Sequence, residues 1–233
     1  MPKHEPLPFS LEALWVPRLC RDLDALLAEG LKEMAILASE AQRKKLIGYL
    51  ALLHQWNQRH SFTAIKDPKE MVIKHLLDSA SILPYLKGER ILDVGTGPGL
   101  PGIPLSVLSE NKTFFLLDSR QKTYHFLSQT KNLLRLANVH LVCERVQNFQ
   151  VSSGFSTIVT RAYAKLPQMV QDTQHLLAEE GIMLAMKGKE EESLEGATEG
   201  FHIVGRYPLS VPFDVAKRHV VLIQRSADGG SEE

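Results

Sequence analysis

The chain has few cysteines, no long apolar run and no net charge. Its two cysteines, Cys20 and Cys143, lie far apart without C-x-x-C spacing, which argues against a disulfide framework or a zinc site and indicates a reducing compartment. No apolar run approaches the ~18 residues of a membrane span, and we expect no signal peptide at the N-terminus. The 27 basic and 27 acidic residues balance, so a nucleic-acid partner would meet a local basic patch. These absences favour a cytoplasmic enzyme with no membrane contact.

The pattern of apolar residues changes near residue 90. Before it, helices are predicted at residues 10–29, 39–59 and 68–83, the last two with clear capping signals. After it, predicted strands span residues 90–94, 113–118, 139–142, 157–160 and 181–186, predicted helices span 101–109, 120–136, 165–177 and 190–198, and a terminal hairpin joins 202–207 to 219–224. This alternation predicts an α/β fold with a doubly wound, mostly parallel sheet and an antiparallel hairpin at its end. The expected organisation is an N-terminal tail and helical extension (1–88), the α/β domain (89–226) and a disordered tail (227–233).

The stretch ILDVGTGPGLPGIPL, residues 91–105, predicts a buried strand followed by a glycine-rich turn and a helix. Gly97-x-Gly99-x-x-Gly fits the dinucleotide pattern, with Asp118 near the ~20-residue spacing of a ribose-binding acid. The same residues also read as acid-x-Gly-x-Gly-x-Gly, from Asp93 through Gly95, which resembles motif I of class I S-adenosylmethionine (AdoMet) methyltransferases. A carboxylate at Asp93 suits the cationic AdoMet and would repel a pyrophosphate. We therefore favour AdoMet, with an NAD-dependent oxidoreductase as the alternative.

The loops that follow the strands of such a sheet converge on one cleft. Asp118 follows the second predicted strand, where its carboxylate can accept hydrogen bonds from a ribose diol; alternatively, Asp118 or Ser119 caps the following helix. Arg161 follows the fourth predicted strand and Lys187 ends the fifth. The acidic run at residues 190–192 reads as a solvated helix start.

Seven sequence blocks resemble, in order, those of the small-subunit ribosomal RNA methyltransferase G family, also called glucose-inhibited division protein B. The blocks are RHSFTAIKDPKEMVIKHLLDS, DVGTGPGLPGIPL, FFLLDS, ERVQNF, VTRAYA, AMKGK and KRHVVLI. The resemblance covers residues 41–225 and implies an AdoMet-dependent Rossmann-like enzyme that methylates N7 of one guanine in the 530 loop of bacterial 16S rRNA. The implied partner is 16S rRNA or the small ribosomal subunit.

The resemblance also implies roles for particular residues. Gly95 and Leu100 are implied to contact the cofactor from the glycine loop, Val146 and Gln147 to lie at the adenine, and Arg161 to lie near the methionine or methyl end. Two positions depart from the family pattern. Gln147 stands where the family usually has an acid, and Ser61 stands where it has an asparagine.

The chemistry expected of the cleft agrees with methylation of a ring nitrogen. The [N/D]-P-P-[Y/F] motif of exocyclic-amine methyltransferases is absent after the fourth strand, and neither cysteine is placed as a nucleophile for carbon-5 methylation. N7 of guanine carries no proton, so alignment of the reactants supplies most of the catalysis. We expect Arg161, His75 and Lys187 at the reaction centre, with His75 one helical turn from Asp78 on a face toward the cleft. No metal ligands are expected.

RNA contact requires exposed cations near the cleft. The predicted RNA-binding residues are Arg59, Lys66, Lys74, Arg145 and Arg218. An aromatic ring near this patch can stack on an extruded guanine, although we place Trp56 in the core. A non-catalytic AdoMet-sensing RNA-binding subunit is the second alternative function.

Overall fold

The computed structural model of the protein describes residues 15–188, 192–194 and 199–226. Within them, seven strands form one sheet in the order β3-β2-β1-β4-β5-β7-β6. The strands are β1 (Arg90–Val94), β2 (Thr113–Leu117), β3 (Val139–Val142), β4 (Phe155–Arg161), β5 (Leu177–Lys187), β6 (Phe201–Leu209) and β7 (Arg218–Arg225). The pairs among β1 to β5 are parallel, and β7 runs antiparallel to both β5 and β6. The predicted fold class is confirmed.

The helices before the sheet begin at the capping signals in the sequence. Helix α2 (Glu40–His60) starts at Ser39, whose hydroxyl accepts a hydrogen bond from the backbone N–H of Gln42 while the Gln42 side chain accepts one from the Ser39 N–H. Asp67 caps the next helical segment in the same way, by accepting from the N–H of Glu70. That segment consists of α3 (Pro68–Met71), a π-helical turn (Val72–Leu77) and α4 (Asp78–Ala80).

The predicted N-terminal extension and the sheet share one hydrophobic core. Leu23, Leu50 and Leu77 from the N-terminal helices belong to the same buried cluster as Phe114 from β2 and Phe126 from the helix after it. A second buried cluster covers the opposite face of the sheet, under α7 (Leu166–Thr173). The predicted boundary at residue 88 therefore separates two kinds of element but not two cores. The shared core fixes the N-terminal helices against the sheet.

Several predicted bounds differ from the structure. Helix α1 spans Pro17–Glu33, a later start and a later end than the predicted 10–29, whose residues 10–14 lie outside the described part. The predicted helix 165–177 ends as α7 at Thr173 because β5 begins at Leu177 after a short 3-10 turn. The predicted helix 190–198 and tail 227–233 fall outside the described residues, except 192–194, which are not helical.

The remaining helices flank the glycine turn and the second strand. They are α5 (Gly102–Leu108) and α6 (Gln121–Leu134). None of the helices described is both long enough and apolar enough to cross a bilayer.

Candidate functional site

The glycine loop between β1 and α5 is held from below by Asp93. Its Oδ2 accepts hydrogen bonds from the Thr96 hydroxyl (2.6 Å) and from the backbone N–H of Gly102 (2.8 Å), and the side chain is fully buried. Burial raises the pKa of Asp93 to about 6, although the bonds from Thr96 and Gly102 oppose this rise. Asp93 therefore braces the loop from inside, whereas the sequence predicted a direct contact with the cofactor.

The glycines of the loop have different surroundings. Gly95 (φ +66°) lines a cavity, and a Cβ built on it would lie 2.6 Å from the ring of Tyr163. Gly99 (φ +97°) faces inward, where a Cβ would lie 2.5 Å from Ile103. Leu100 is buried in the core. Of the predicted loop contacts, the structure thus brings Gly95 to the cavity, while Gly99 and Leu100 are buried behind it and Gly97 donates its N–H to Asp118 on the cavity wall.

The cavity beside Gly95, which we call the cofactor cavity, has a volume of about 340 Å³. It lies at the carboxyl ends of β1, β2, β3 and β4, where a parallel sheet of this kind binds its ligand. Its walls include Gly95, Asp118, Arg120, Val146, Gln147 and Tyr163. The predicted cofactor residues Gly95, Asp118, Val146 and Gln147 are therefore brought together.

Asp118 presents its carboxylate to the cofactor cavity from the end of β2. Its Oδ2 accepts from the backbone N–H of Gly97 at 3.0 Å, and both carboxylate oxygens accept from the Arg120 guanidinium. Burial opposes ionisation, but the hydrogen bonds and charge of Arg120 hold the pKa of Asp118 below its usual value. The N-cap of α6 is Arg120, so neither Asp118 nor Ser119 occupies the N-cap position; Asp118 Oδ1 instead accepts from the backbone N–H of Arg120, in the turn before the helix.

A tyrosine that the sequence analysis did not single out forms the far wall. The hydroxyl of Tyr163 donates to Asp172 Oδ2 at 2.8 Å, and the side-chain amide of Gln147 donates to Asp172 Oδ1 at 3.0 Å. Burial, together with the Asp172 carboxylate, raises the pKa of Tyr163. The sequence signal that could have identified Tyr163 is its position two residues after Arg161, in the loop that follows β4. Arg145, predicted to bind RNA, also lies on the wall of this cavity.

A second cavity of about 550 Å³, the arginine cavity, adjoins the first. Ala162, which follows β4 with φ +53°, lines both. The arginine cavity contains Lys74, His75, Asp78, Arg161, Lys187 and Arg218. All three predicted catalytic residues and two of the predicted RNA-binding residues therefore meet here.

Asp78 is the centre of a chain of charges in the arginine cavity. Its Oδ2 accepts from Arg161 Nη1 at 3.2 Å, and Arg218 Nε lies 2.8 Å from Oδ1 as an ion pair. Arg218 in turn donates to Asp214 at 2.7 Å, and Arg161 donates to the Lys74 carbonyl at 3.2 Å. Burial raises the pKa of Asp78, and the two arginines oppose this rise. The H-x-x-D-S block pointed to Asp78, but its two arginine partners are distant in sequence.

His75 is neutral and fully engaged. Its Nδ1 lies 3.1 Å from the Lys74 carbonyl, which only accepts, so Nδ1 carries the proton and Nε2 accepts from the Thr63 hydroxyl at 3.1 Å. Burial, with the nearby charge of Arg161, lowers the pKa of His75 to about 4. Because both ring nitrogens have partners, the structure supports a positioning role for His75 in place of the predicted place at the reaction centre.

The other predicted cations are distributed between the cavity and the surface. Lys187 is nearly enclosed and donates to the Ala164 carbonyl and, at 2.9 Å, to Glu192. Glu192 therefore pairs inward instead of forming a solvated helix start. Lys74 pairs with Glu70 at 3.1 Å, while Arg59 and Lys66 are exposed.

Trp56 packs as predicted, against the core. Its ring contacts Phe126 at a centroid distance of 5.5 Å, and its Nε1 donates to Gln129. Within the described ranges, no group of three or more His, Cys, Asp or Glu side chains is arranged to hold a metal ion.

Comparison with known proteins identifies the family. A family model described as rRNA small subunit methyltransferase G matches residues 42–221. The chain belongs to this family. The protein named Ribosomal RNA small subunit methyltransferase G from Nitrosococcus oceani is 46% identical over 200 residues, 85% of this chain and 94% of that protein. The protein of the same name from Alteromonas mediterranea is 38% identical over 206 residues, 88% of this chain and 98% of that protein.

Solved structures agree with the fold. Magnesium protoporphyrin IX methyltransferase from Synechocystis PCC 6803, with bound SAM, superposes with a TM-score of 0.53 at 15% identity and covers 76% of this chain and 97% of its own. A TehB-like SAM-dependent methyltransferase from Corynebacterium glutamicum gives a TM-score of 0.51 at 15% identity, with 77% and 98% covered. The predicted family and AdoMet as the cofactor are confirmed, and the NAD-dependent alternative is wrong.

Proposed function

We propose that this enzyme methylates N7 of a guanine in the 530 loop of bacterial 16S rRNA, as free rRNA or within the small ribosomal subunit. The observation that carries the proposal is the junction of the two cavities at Ala162. One side of this residue holds the glycine loop and Asp118, and the other side holds paired arginines that can receive a base. A methyl group leaving the first cavity would enter the second directly.

The arginine cavity lacks the groups that other base methylations require. Cys20 and Cys143, both within the described ranges, line neither cavity, so no thiolate is placed to attack a pyrimidine carbon. His75 has both nitrogens engaged, and Lys187 is paired with Glu192. N7 of guanine bears no proton and needs neither a base nor a nucleophile, which agrees with this set of residues.

Charge in the arginine cavity suits a base that becomes cationic. AdoMet, when bound, supplies a methyl group activated by a positively charged sulfur. Unpaired cations beside the guanine would oppose the positive charge that it gains, but here Asp78 lies between Arg161 and Arg218. Within the described part of the chain, the hydrogen bonds of Arg161 use only Nη1, so its other N–H groups can donate to the O6 edge of guanine.

Phosphate contacts would come from the cations around the arginine cavity. Lys74 lines the cavity, Lys66 follows its wall residue Ile65, and Arg59 is exposed at the end of α2. We assign these three residues to the RNA backbone, where each would add to a salt-dependent affinity. Arg145 and Arg218 are closer to the cofactor and to Asp78, so we expect them to affect RNA affinity less.

The test is to map N7-methylguanine in 16S rRNA from a strain that lacks this chain. Borohydride reduction and aniline cleavage break the RNA at this base, and primer extension then locates the break. We expect no break in the 530 loop of the strain without the chain, full restoration by the wild-type chain and by the exposed control Lys44→Ala, and a large loss with Arg161→Ala. A break that persists without the chain contradicts the proposal. AdoMet binding without any methyl transfer would favour the non-catalytic alternative.

A further inference from the structure

Asp118 has no acceptor position left for a ribose. Its Oδ1 accepts from the backbone N–H and the Nε–H of Arg120, both at 2.9 Å. Its Oδ2 accepts from the N–H of Gly97 at 3.0 Å and from Arg120 Nη2 at 2.8 Å. An ionised carboxylate offers about four lone-pair positions. All four are occupied, so a diol can bind this carboxylate only by replacing a donor.

Two of these four donors are able to leave. The N–H groups of Gly97 and Arg120 belong to the backbone of the glycine loop and of the turn before α6, which the fold fixes. The Arg120 side chain is different, because it is 52% exposed while the Asp118 side chain beneath it is 7% exposed. Both residues line the cofactor cavity. The guanidinium therefore covers the carboxylate on its ligand side.

We propose that Arg120 is a displaceable cover on Asp118, which occupies the diol-binding side of the carboxylate until the AdoMet ribose replaces it. This inference rests on the AdoMet cofactor of the proposed function. The exchange is balanced in hydrogen bonds, since two ribose O–H donors replace the Nε–H and Nη2–H donors of Arg120. The cover keeps the buried carboxylate ionised and oriented, and it makes AdoMet compete with an internal ligand.

The competition gives an effect of unusual sign. AdoMet must break the ion pair between Arg120 and Asp118 in order to bind, so removal of the Arg120 side chain should strengthen AdoMet binding. The Arg120 side of the pair is half-exposed and such pairs contribute little free energy, so the gain should be only about two- to fivefold. The gain should be confined to ligands that carry a ribose diol, because a ligand without a diol has no reason to move Arg120. It should also depend on Asp118, so in an Asp118→Ala protein the removal of Arg120 should have no effect.

The experiment compares Arg120→Ala with wild type by calorimetry with AdoMet, and by competition of adenosine or 2′,3′-dideoxyadenosine against radiolabelled AdoMet. Lys122→Ala is the matched control, because Lys122 is an exposed cation at the same end of α6. The Nζ of Lys122 lies over the Phe62 ring. Tighter binding of AdoMet and adenosine to Arg120→Ala, with unchanged dideoxyadenosine and an unchanged Lys122→Ala control, supports the proposal. Circular dichroism confirms that each variant is folded.

Three results would overturn the inference. Unchanged or weaker AdoMet binding in Arg120→Ala would show that Arg120 does not compete. An equal gain for dideoxyadenosine, or the same gain in the Asp118→Ala background, would show a general charge effect. These outcomes leave the proposed function intact as long as the wild-type protein binds AdoMet and methylates 16S rRNA. A wild-type protein that binds no AdoMet would overturn both proposals together.

Discussion

The cofactor cavity and the arginine cavity share Ala162 but draw on different parts of the chain. The first takes its walls from the loops after β1, β2, β3 and β4, all within the parallel sheet. The second joins the π-helical turn and α4 to β4, β5 and β7, so its charged groups come from segments far apart in the chain. In the first, backbone geometry positions the ligand-binding groups, whereas in the second a buried carboxylate positions the cations. Substitutions in one cavity should therefore impair AdoMet binding, and substitutions in the other should impair methyl transfer without loss of AdoMet binding.

The largest expected effect comes from breaking the charge chain at Asp78. In Asp78→Asn, Arg161 and Arg218 lose their shared counter-ion inside a cavity where each side chain is less than a quarter exposed. We expect methyl transfer to fall by about a hundredfold or more and stability to fall by about 3 kcal/mol, the lower end for a broken buried pair. AdoMet affinity, measured by calorimetry, should change less than about threefold because the cofactor cavity keeps its walls.

Glu70→Gln is the matched control for that experiment. It removes an exposed carboxylate from the same helical segment, where Glu70 pairs with Lys74 at the surface, and it should cost less than about 1 kcal/mol. If Asp78→Asn abolishes AdoMet binding in a folded protein, the two cavities are one energetic unit and the comparison is wrong.

Gly95→Ala is the corresponding break in the cofactor cavity. The new methyl group would meet the Tyr163 ring at 2.6 Å, and the residue would keep a left-handed φ of +66°. Strain and overpacking together should weaken AdoMet binding by about 2–4 kcal/mol. The measurement is AdoMet calorimetry on a protein whose folding is verified by circular dichroism. Near-wild-type AdoMet affinity in a folded variant would show that Gly95 does not contribute to the cofactor site.

The two cavities also differ in how far the sequence predicts them. Gly95, Asp118, Val146 and Gln147 follow successive strands, and the topology of a parallel sheet brings such positions together, so local motifs were sufficient. The pairing of Asp78 with two arginines has no local signal, because its partners lie in β4 and β7. Burial likewise decided the position of Asp93, since a strand-end acid can face a ligand or the loop beneath it, and the pattern is the same in both cases.

The titration of His75 tests whether the part of the arginine cavity around this side chain excludes water. Its pKa is lowered to about 4 in the folded protein, so the unfolded chain takes up a proton first as the pH falls below about 6.5. Stability present above pH 6.5 is therefore lost toward pH 4, by about 2 kcal/mol between pH 6.5 and 5. Asp93 acts in the opposite direction, because its raised pKa of about 6 makes the folded state bind the proton first.

The contribution of His75 is isolated by comparing wild type with His75→Gln. Asp93 is common to both proteins, so its effect cancels in the difference between their free energies of unfolding. Urea denaturation at pH 5, 6 and 7 should show that wild type loses more stability than the variant as the pH falls. A pH-independent difference in the free energy of unfolding would mean that water reaches His75 in the folded protein.

The smallest expected effect concerns Gln147, where the family usually has an acid. In this chain the Gln147 amide donates to Asp172 Oδ1, and the other oxygen of Asp172 holds the Tyr163 hydroxyl. Gln147→Glu replaces that donor with a second carboxylate, but the position is exposed, so repulsion should weaken AdoMet binding by only about 0.5–1 kcal/mol. Calorimetry at low and high salt measures this, and the penalty should shrink as salt screens it. Adding Asp172→Asn should restore affinity if the repulsion is the cause. Tighter binding of Gln147→Glu, in contrast, would show that an acid here accepts a hydrogen bond from the adenine more strongly than Asp172 repels it.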